Sequence, residues 1–249
     1  MKSKLLLLAL VLFCLDAAAA ETMRAGHKIK IVLVGDSTVN DQGGWGYGFK
    51  QFVTSDVEVI NTAMNGRSSM SFMREGRWTN ALALHGDYYF IQFGHNNQPG
   101  KPGRSTDMPT FIANLKQYVD DTKAIGAKPV LVTPLSRRQW DGKNPGKIKS
   151  TLEPYAQAVR KIAVEKNVPL IELHERSKEF YEQVGRAAVE QFSPIKTVDG
   201  TNSIDGTHLA GVGRVLIARL VVEEVRQKIP ELAAQLRAAP NAETDSREK

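Results

Sequence analysis

Short apolar runs alternate with longer amphipathic segments along most of this chain. Five runs are nearly continuous in apolar character: IKIVLVG (29–35), VEVINTA (57–63), DYYFIQFG (87–94), KPVLVTP (128–134) and VPLIEL (168–173). Each has the length of a strand, and continuous apolar character is typical of strands that are buried on both faces. The pattern therefore predicts five strands of a parallel sheet.

Three segments between or after these runs have apolar residues at helical spacing. They cover about 108–125, 151–166 and 211–229, and Gly126 and Pro230 mark two of their ends. The third helix is expected to turn one set of residues inward, namely Val212, Val215, Leu216, Leu220 and Val221. Strands that alternate with helices predict an α/β fold in which helices cover both faces of the sheet.

The amino-terminal segment 1–20, MKSKLLLLALVLFCLDAAAA, has a different pattern. A lysine-bearing start, a long apolar run and a final Ala-Ala-Ala are typical of a secretory signal peptide that is cleaved after Ala20. A membrane anchor is the alternative, but the apolar run is shorter than the roughly 20 residues that a spanning helix needs. We therefore expect a signal peptide at 1–20, one domain at 21–238, a disordered polar tail at 239–249, and a secreted or periplasmic protein.

Composition and charge narrow the function classes. The chain is 42% hydrophobic and 24% charged, which is ordinary for a globular protein. Its net charge of +6 is spread without the basic block of a nucleic-acid-binding arm, so we expect no nucleic-acid partner. A mildly basic protein suits an acidic partner such as a uronate polymer, although plain solubility explains the charge equally well.

The only cysteine, Cys14, lies inside the predicted signal peptide. A lipoprotein site there would need a small residue before the cysteine, where Phe13 stands. The mature chain is therefore expected to have no disulfide, no thiol nucleophile and no thiolate metal site.

Small polar residues follow the first three predicted strands. GDST (35–38), NTAMNGRSS (61–69) and FGHNN (93–97) stand at the three strand ends. Because ligands of open parallel sheets bind beyond the carboxyl ends of the strands, we expect these segments to converge on one site.

Ser37 is the candidate nucleophile of that site. A serine needs a base within hydrogen-bond reach, usually a histidine that is oriented by a carboxylate. His208 in SIDGTHLA (203–210) has Asp205 three residues upstream, a spacing that lets the carboxylate meet one ring nitrogen while the other faces outward. A plain Asp-Gly turn that caps a helix is the alternative.

An acyl-transfer site also needs hydrogen-bond donors for the oxyanion. The backbone N–H groups of Ser37 and Gly66 and the side-chain amide of Asn96 are the candidates. For Gly66 a plain turn, and for Asn96 a loop-capping amide, are the alternatives.

The four blocks GDST, NGRSS, GHNN and DGTH, in this order, resemble the SGNH or GDSL hydrolases over about 28–229. The resemblance implies a single-domain serine esterase with a flavodoxin-like three-layer sandwich around a five-stranded parallel sheet. It assigns Ser37 as nucleophile, Asp205 and His208 as the rest of the triad, and Gly66 and Asn96 as oxyanion donors beside the Ser37 N–H. It implies no metal ion and no cofactor.

Finer features resemble the rhamnogalacturonan acetylesterase branch, whose members remove O-acetyl groups from pectin. They are GDSTV, GWGYGF (44–49), NGRSSMSF (65–72) and QFGHNNQPG (92–100). One departure is Asn97, which stands where that branch commonly has an acidic residue. The resemblance implies an acetylated polysaccharide or oligosaccharide as partner.

Several residues are candidates for substrate contact or for support of the site. Arg67 is a candidate partner of a uronate carboxylate, and four aromatic rings are candidate sugar contacts, although core packing is the alternative for each: Trp45, Tyr47, Trp78 and Trp140. Asp36 is expected to hold the turn of the nucleophile through backbone N–H groups. The polar segment 137–150 is expected to form a mobile loop beside the cleft.

Other functions use the same residues differently. The alternatives are an acetylesterase for xylan, peptidoglycan or another acyl ester, and a carbohydrate-binding protein with a dead site. A lipase would need a large apolar lip, whereas the stretches around the blocks are polar and rich in glycine. Glycine-rich loops of the dinucleotide or phosphate-binding type are not found, which disfavours a cofactor-binding role.

Overall fold

The computed structural model describes residues 28–240. The predicted signal peptide, 1–20, and most of the predicted tail lie outside the described residues. Within residues 28–240, none of the helices combines the length and the apolar composition that are needed to cross a membrane.

Five parallel strands form the central sheet, in the order β2-β1-β3-β4-β5. Their bounds are β1 Ile29–Gly35, β2 Val57–Asn61, β3 Tyr88–Gln92, β4 Lys128–Val132 and β5 Leu170–Ile171. The predicted α/β class and the flavodoxin-like sheet are thereby confirmed. Four strands end before the apolar runs do, because the last residues of those runs already belong to the loops and helices that follow the sheet.

Nine helices and a hairpin surround this sheet in the described part of the chain. The helices are α1 Gly46–Lys50, α2 Ser69–Arg74, α3 Arg77–Leu82, α4 Met108–Ala124, α5 Glu153–Lys166, α6 Leu173–Val184, α7 Arg186–Glu190, α8 Val212–Lys228 and α9 Pro230–Ala233. The hairpin pairs β6 Ile195–Val198 with β7 Thr201–Ile204 in antiparallel register. The three predicted helices correspond to α4, α5 and α8.

Alternate residues of the central strands enter two separate cores. Ile31 and Leu33 of β1 pack in one core with α1 and α8, whereas Val32 and Val34 pack in the other with α2 to α5. Since successive side chains of a strand point to opposite faces, a continuously apolar strand fills both layers. This arrangement is the predicted three-layer sandwich.

The predicted inward face of α8 is confirmed for Leu220 and Val221, with Val215 and Leu216 packed against the same core, and it is wrong for Val212. Val212 is 56% exposed, whereas Ile217 and Val225 are fully buried. Helix α1 approaches α8 closely at Gly48, where an added Cβ would lie 2.4 Å from the carbonyl oxygen of Arg214. This contact sets the Arg214 backbone and Ala218 against α1, and the hydrophobic spacing alone did not indicate it.

The sheet order brings three loops together at its carboxyl edge. Gly35 at the end of β1 pairs with Gln92 at the end of β3, and the backbone N–H of Met64 donates to the Gly35 carbonyl at 3.0 Å. The loops that follow β1, β2 and β3 are therefore neighbours, as the sequence predicts.

Candidate active site

Ser37 stands in a tight turn directly after the buried strand β1. Asp36 Oδ1 accepts hydrogen bonds from the backbone N–H of Thr38 at 2.9 Å and from its hydroxyl at 2.7 Å. Gln92 Nε2 donates to the same hydroxyl at 2.7 Å. These bonds hold the turn in the way predicted for Asp36, and they leave Ser37 7% exposed at the edge of a cleft.

The predicted triad residues form a continuous chain of hydrogen bonds. His208 Nε2 lies 2.8 Å from Ser37 Oγ across 171 positions of sequence, and His208 Nδ1 lies 2.7 Å from Asp205 Oδ2. The other carboxylate oxygen, Oδ1, accepts the backbone N–H of Thr207 at 2.8 Å. A carboxylate only accepts hydrogen bonds, so Nδ1 carries the hydrogen and Nε2 presents its lone pair to the serine hydroxyl.

Asp205 is held in its ionised form. Burial alone would raise the pKa of this carboxyl, but hydrogen bonds from His208, from the Thr207 N–H and from Lys196 outweigh it and hold the pKa well below the usual range. The carboxylate is therefore charged at every pH at which the protein would work.

Arg138 clamps the segment that carries the histidine and the aspartate. Its guanidinium donates to the backbone carbonyls of Asp205, at 3.0 Å, and of His208, and its Nε donates to Ser193 Oγ at 2.8 Å. The backbone N–H of Arg138 also donates to the Gly206 carbonyl at 2.8 Å. The sequence analysis placed this arginine only in a polar loop, because nothing local connects it with residues some 70 positions away.

Gly43 packs directly against the imidazole ring of His208. Its carbonyl accepts the backbone N–H of Leu209 at 2.8 Å. A Cβ added at Gly43 would lie 3.2 Å from His208 Cδ2, which is closer than most Cβ contacts. A glycine at this position thus lets the ring reach Ser37.

The predicted oxyanion donors lie in the same cleft. A cavity of about 390 Å³ is lined by residues of all four blocks: Ser37, Gln42, Gly43, Asn65, Gly66, Asn96, Arg104 and His208. Gly66 has a φ of +75°, a conformation that favours glycine over other residues. Asn96 Nδ2 donates one hydrogen to the Arg67 carbonyl at 3.1 Å, which leaves the amide's second hydrogen for a ligand.

Two asparagines tie the first block to the second. Asn40 Nδ2 donates to Asn65 Oδ1 at 2.6 Å, and Asn40 Oδ1 accepts the backbone N–H of Gly43 at 2.9 Å. The turn of the nucleophile and the loop of Gly66 are therefore fixed relative to each other.

Asn97, which stands where the resembled branch commonly has an acid, is fully buried and anchors its own loop. Its Nδ2 donates to Ser69 Oγ at 2.8 Å and to Thr106 Oγ1 at 3.0 Å, and its Oδ1 accepts the Ser69 N–H at 3.3 Å. A neutral amide thus joins the third block to the start of α2 and to the loop before α4.

Trp45 is a correction to the predicted substrate contacts. Its side chain is fully buried, donates from Nε1 to Gln92 Oε1 at 2.9 Å and packs edge-on against Phe49. The ring has no free face for a sugar because α1 packs on the sheet there. Trp78 is likewise buried and bonds Asp121, so core packing explains both rings.

The remaining predicted contacts lie outside the cavity lining. Arg67 Nε donates to Glu75 Oε2 at 2.9 Å, and its NH1 donates to the Asn65 carbonyl at 2.8 Å, so its charge is already paired. Trp140 is half-buried in the loop after β4 and forms a backbone bridge with Ile148. Tyr47 is half-buried beneath the Arg214 guanidinium, which lies 4.4 Å from its ring centroid.

Three cations stand beside the cleft without a carboxylate partner. Lys101 Nζ donates to Asn96 Oδ1 at 3.3 Å, Arg104 NH1 to the Gly66 carbonyl at 3.4 Å, and Arg137 Nε to Thr207 Oγ1 at 3.3 Å. Within residues 28–240, none of the three forms an ion pair. Burial, together with repulsion from the other two cations, lowers the pKa of Lys101. We call these three residues the cationic wall.

His95 of the GHNN block is not placed to act as the base. The ring is 2% exposed, and neither of its nitrogens has a hydrogen-bond partner among the described residues. Its Nδ1 lies 3.7 Å from Asp36 Oδ2. Burial and the nearby cations Arg137 and Lys101 lower the pKa of His95 well below its usual value, so the ring is neutral.

Comparison with curated proteins gives two relatives over most of the chain. A rhamnogalacturonan acetylesterase, RhgT, from Bacillus subtilis is 37% identical over 214 residues, which cover 80% of this chain and 90% of the relative. A probable rhamnogalacturonan acetylesterase, YesY, from the same organism is 35% identical over 207 residues, which cover 79% and 92%.

Solved structures share the fold at lower identity. A Bacillus subtilis protein aligns with a TM-score of 0.67 and 24% identity over 80% of this chain, which spans only 56% of that protein's length. A mutant of an acetyl-xylooligosaccharide esterase from Geobacillus aligns with a TM-score of 0.60 and 21% identity over 80% of this chain and 95% of that one.

The GDSL-like Lipase/Acylhydrolase family matches residues 33–197, from β1 into the hairpin. Two relatives that are more than one-third identical over about four-fifths of the chain agree with this match. The family that the four sequence blocks predict is thereby confirmed: the chain belongs to the GDSL-like lipase/acylhydrolase family.

Proposed function

We propose that the protein is a serine O-acetylesterase that removes acetyl groups from a pectic polysaccharide, rhamnogalacturonan. The observation that carries the proposal is the chain of hydrogen bonds from Asp205 through His208 to Ser37 at the edge of a polar cleft. The names of the two relatives, both rhamnogalacturonan acetylesterases or probable ones, support the choice of substrate.

The proposed reaction has two acyl-transfer steps. Ser37 Oγ attacks the acetyl carbonyl carbon while His208 Nε2 takes the hydroxyl proton, and Asp205 stabilises the imidazolium that forms. His208 then gives that proton to the sugar oxygen, which leaves as an alcohol. A water molecule, deprotonated by His208, cleaves the acetyl-serine and releases acetate.

The oxyanion of each tetrahedral intermediate would sit between three donors. The candidates are the backbone N–H groups of Ser37 and Gly66 and the second amide hydrogen of Asn96. Lys101 donates to Asn96 Oδ1 at 3.3 Å, which holds the amide by its oxygen and leaves its nitrogen as the donor. Fixed donors of this kind stabilise the charge without reorganising during the reaction.

The lining of the cleft favours a short acyl group. Every residue around the cavity is polar, charged or glycine, and none offers a large apolar side chain to a long acyl chain. Acetyl groups need no such wall, whereas burial of a fatty chain would gain about 0.8 kcal/mol per CH₂ only from apolar surroundings. The cleft thus supports an acetylesterase over a lipase.

The cationic wall favours an acidic polymer over a neutral one. Lys101 is repelled by Arg137 and Arg104, and Lys101 and Arg137 are also partly desolvated, so a uronate carboxylate beside the acetylated sugar would relieve both costs. Xylan backbones carry no such charge on every repeat, and the similarity to an acetyl-xylooligosaccharide esterase, at 21% identity, shows the fold alone. We further propose that the protein is secreted or periplasmic, on the basis of segment 1–20.

Acetate release from a panel of polymers tests the proposal. Wild type is expected to release acetate fastest from acetylated rhamnogalacturonan, more slowly from acetylated xylan and peptidoglycan, and Ser37→Ala from none of them. Background rates for wild type on every substrate and on p-nitrophenyl acetate would indicate a binding protein instead. Fastest release from xylan would overturn the substrate and leave the esterase in place.

Arg104→Gln tests the role of the cationic wall. Loss of a guanidinium that meets a carboxylate is expected to raise KM for an acidic acetylated oligosaccharide about tenfold, a change of about 1.4 kcal/mol. The matched control is Arg67→Gln, because Arg67 is already paired with Glu75. An equal rise in KM for the acidic substrate and for p-nitrophenyl acetate would contradict the proposed recognition of a uronate.

A further inference from the structure

The antiparallel hairpin β6–β7 leads directly into the proposed triad. Its last residue, Ile204, precedes Asp205, and the backbone N–H of Asp205 donates to the Pro194 carbonyl at 2.8 Å, just before β6 begins. The hairpin therefore closes at the carboxylate itself. It lies outside the five-stranded sheet and is exposed on most of its surface.

One side chain of the hairpin folds back onto that carboxylate. Lys196 Nζ lies 3.0 Å from Asp205 Oδ2, the same oxygen that His208 Nδ1 meets at 2.7 Å. Two cationic partners thus compete for one oxygen when the imidazole is protonated. Asp205 is almost fully buried, whereas the Lys196 side chain is 55% exposed. Salt therefore screens the charge of the lysine much more than the interaction between the carboxylate and the imidazole.

We propose that Lys196 is a positioning residue that acts through Asp205 to keep His208 neutral, and therefore able to act as a base, in mildly acidic surroundings. The inference rests on the proposed triad. The positive charge of Lys196 beside Oδ2 partly neutralises the carboxylate and repels an imidazolium. It therefore disfavours protonation of the His208 ring. Neither the family comparison nor the mechanism above requires a lysine at this position.

Other charged groups also face the ring, from every segment packed around it. Asp36 in the turn after β1 attracts an imidazolium at His208, while Lys101 and Arg137 of the cationic wall act on the neighbouring ring of His95. Arg138 binds the backbone carbonyls on either side, and neutral His95 lies behind the cleft. Lys196 differs from all of these because it shares the oxygen to which the ring is bonded, and because it is exposed enough to be replaced without opening the core.

Replacement of the lysine charge gives a signed expectation. Lys196→Met keeps the aliphatic stem but removes the charge, so the imidazolium becomes easier to form. The acid limb of the kcat/KM profile is expected to move to higher pH by roughly half a unit to one unit. At a pH within that limb the variant would be roughly three- to tenfold slower than wild type, whereas the alkaline plateau would keep its height.

Three comparisons separate this role from a structural one. Lys196→Arg should restore the wild-type limb. Asn202→Ala, which breaks the Thr197–Asn202 hydrogen bond across the hairpin, should leave the limb where it is. High salt should move the wild-type limb upward by more than the Lys196→Met limb, because the variant lacks the exposed Lys196 charge that salt screens.

The decisive experiment is the pH profile of kcat/KM for p-nitrophenyl acetate at low and high salt, with an NMR titration of the His208 ring beside it. An upward shift in Lys196→Met, absent in Lys196→Arg, supports the inference. A loss that is uniform at all pH values, or an unmoved limb in an active variant, overturns it. Absence of esterase activity in the wild type would instead mean that the proposed function has failed.

Discussion

Two groups of serine, histidine and carboxylate can be compared within residues 28–240, the part of the chain that the structure describes. One, the cleft cluster, consists of Ser37, His208 and Asp205. The other consists of Ser150, His174 and Glu153, and we call it the buried cluster after its fully buried histidine. His174 Nε2 lies 3.0 Å from Ser150 Oγ and 3.3 Å from Glu153 Oε2. Residue types and distances are alike, yet the arrangement around the two rings is not.

The difference lies in which ring nitrogen meets which partner. In the cleft cluster the hydroxyl and the carboxylate occupy opposite nitrogens, so a proton taken at Nε2 is stabilised through Nδ1. In the buried cluster both meet Nε2, and the Pro134 carbonyl, 2.9 Å away, holds Nδ1. Ser150 Oγ is also committed as the acceptor of the Leu152 N–H, and Glu153 to Arg160.

The buried cluster therefore connects the start of α6, which carries His174, to the loop after β4 and the start of α5. His174 is fully buried, and burial lowers its pKa although the Pro134 carbonyl and Glu153 offset part of that effect. The comparison teaches that proximity of three residue types does not make a catalytic set. The hydroxyl, the ring and the carboxylate must be in series and must open onto a cleft.

Replacement of the serine in each cluster is expected to give the largest difference in activity between the two clusters. Ser37→Ala is expected to lower kcat for p-nitrophenyl acetate about 10⁴- to 10⁶-fold, because the acyl acceptor is lost. Ser150→Ala is expected to stay within about threefold of wild type and to lower the free energy of unfolding by about 1 kcal/mol. Steady-state kinetics and urea unfolding measure both. Comparable losses of activity in the two variants would contradict the distinction.

Replacement of the two carboxylates has the next largest expected effect. Asp205→Asn keeps the shape but removes the charge that fixes the tautomer of His208, so kcat is expected to fall by about 10⁴. Glu153→Gln, the matched change in the buried cluster, should leave kcat within a few-fold. A mild effect of Asp205→Asn would show that the ring works without its carboxylate, and the assignment of the triad would then be wrong.

The smallest expected effect is on the pH dependence of the free energy of unfolding, to which His174 of the buried cluster contributes. His174 has a folded pKa below its ordinary value of 6.5, so the unfolded chain binds more protons as the pH falls. The contribution of this histidine to the free energy of unfolding is fully present above pH 6.5 and decreases toward lower pH, by at most about 1.4 kcal/mol per pH unit. His174→Gln should flatten this slope below about pH 6.5.

Urea unfolding at several pH values measures that slope, and His85→Gln is the control because His85 is exposed. An unchanged slope in His174→Gln would mean that His95, the other deeply buried histidine, or the carboxylates dominate the acid response. The buried cluster would then not contribute to it.

Much of the fold was predictable because the central strands are apolar on both faces. β1 and β3 lie in the middle of the sheet, so their patterns are unambiguous, and glycine or proline marks the ends of α4 and α8. The cleft was predictable for a related reason. The carboxyl ends of parallel strands share one edge, so polar blocks that follow Gly35 and Gln92 had to meet.

What the sequence did not indicate depends on contacts between distant side chains. The burial of Trp45 follows from the packing of α1, and the contact of α1 with Ala218 of α8 follows from their close approach at Gly48. Arg138 and Lys196 are ordinary surface-type residues by sequence, and only the tertiary structure places one on the triad backbone and the other on Asp205. The mobility of the loop 137–150 stays a prediction.

The long interval between nucleophile and base has a consequence for biosynthesis. Translation delivers Ser37 early and His208 only after 171 further positions, so the growing polypeptide carries an inert serine for most of its elongation. Esterase activity would begin only when the segment after the hairpin, which carries His208, packs against Gly43. An unfinished or proteolytically shortened polypeptide that lacks this segment would be harmless to the acetyl esters of the cell that makes it.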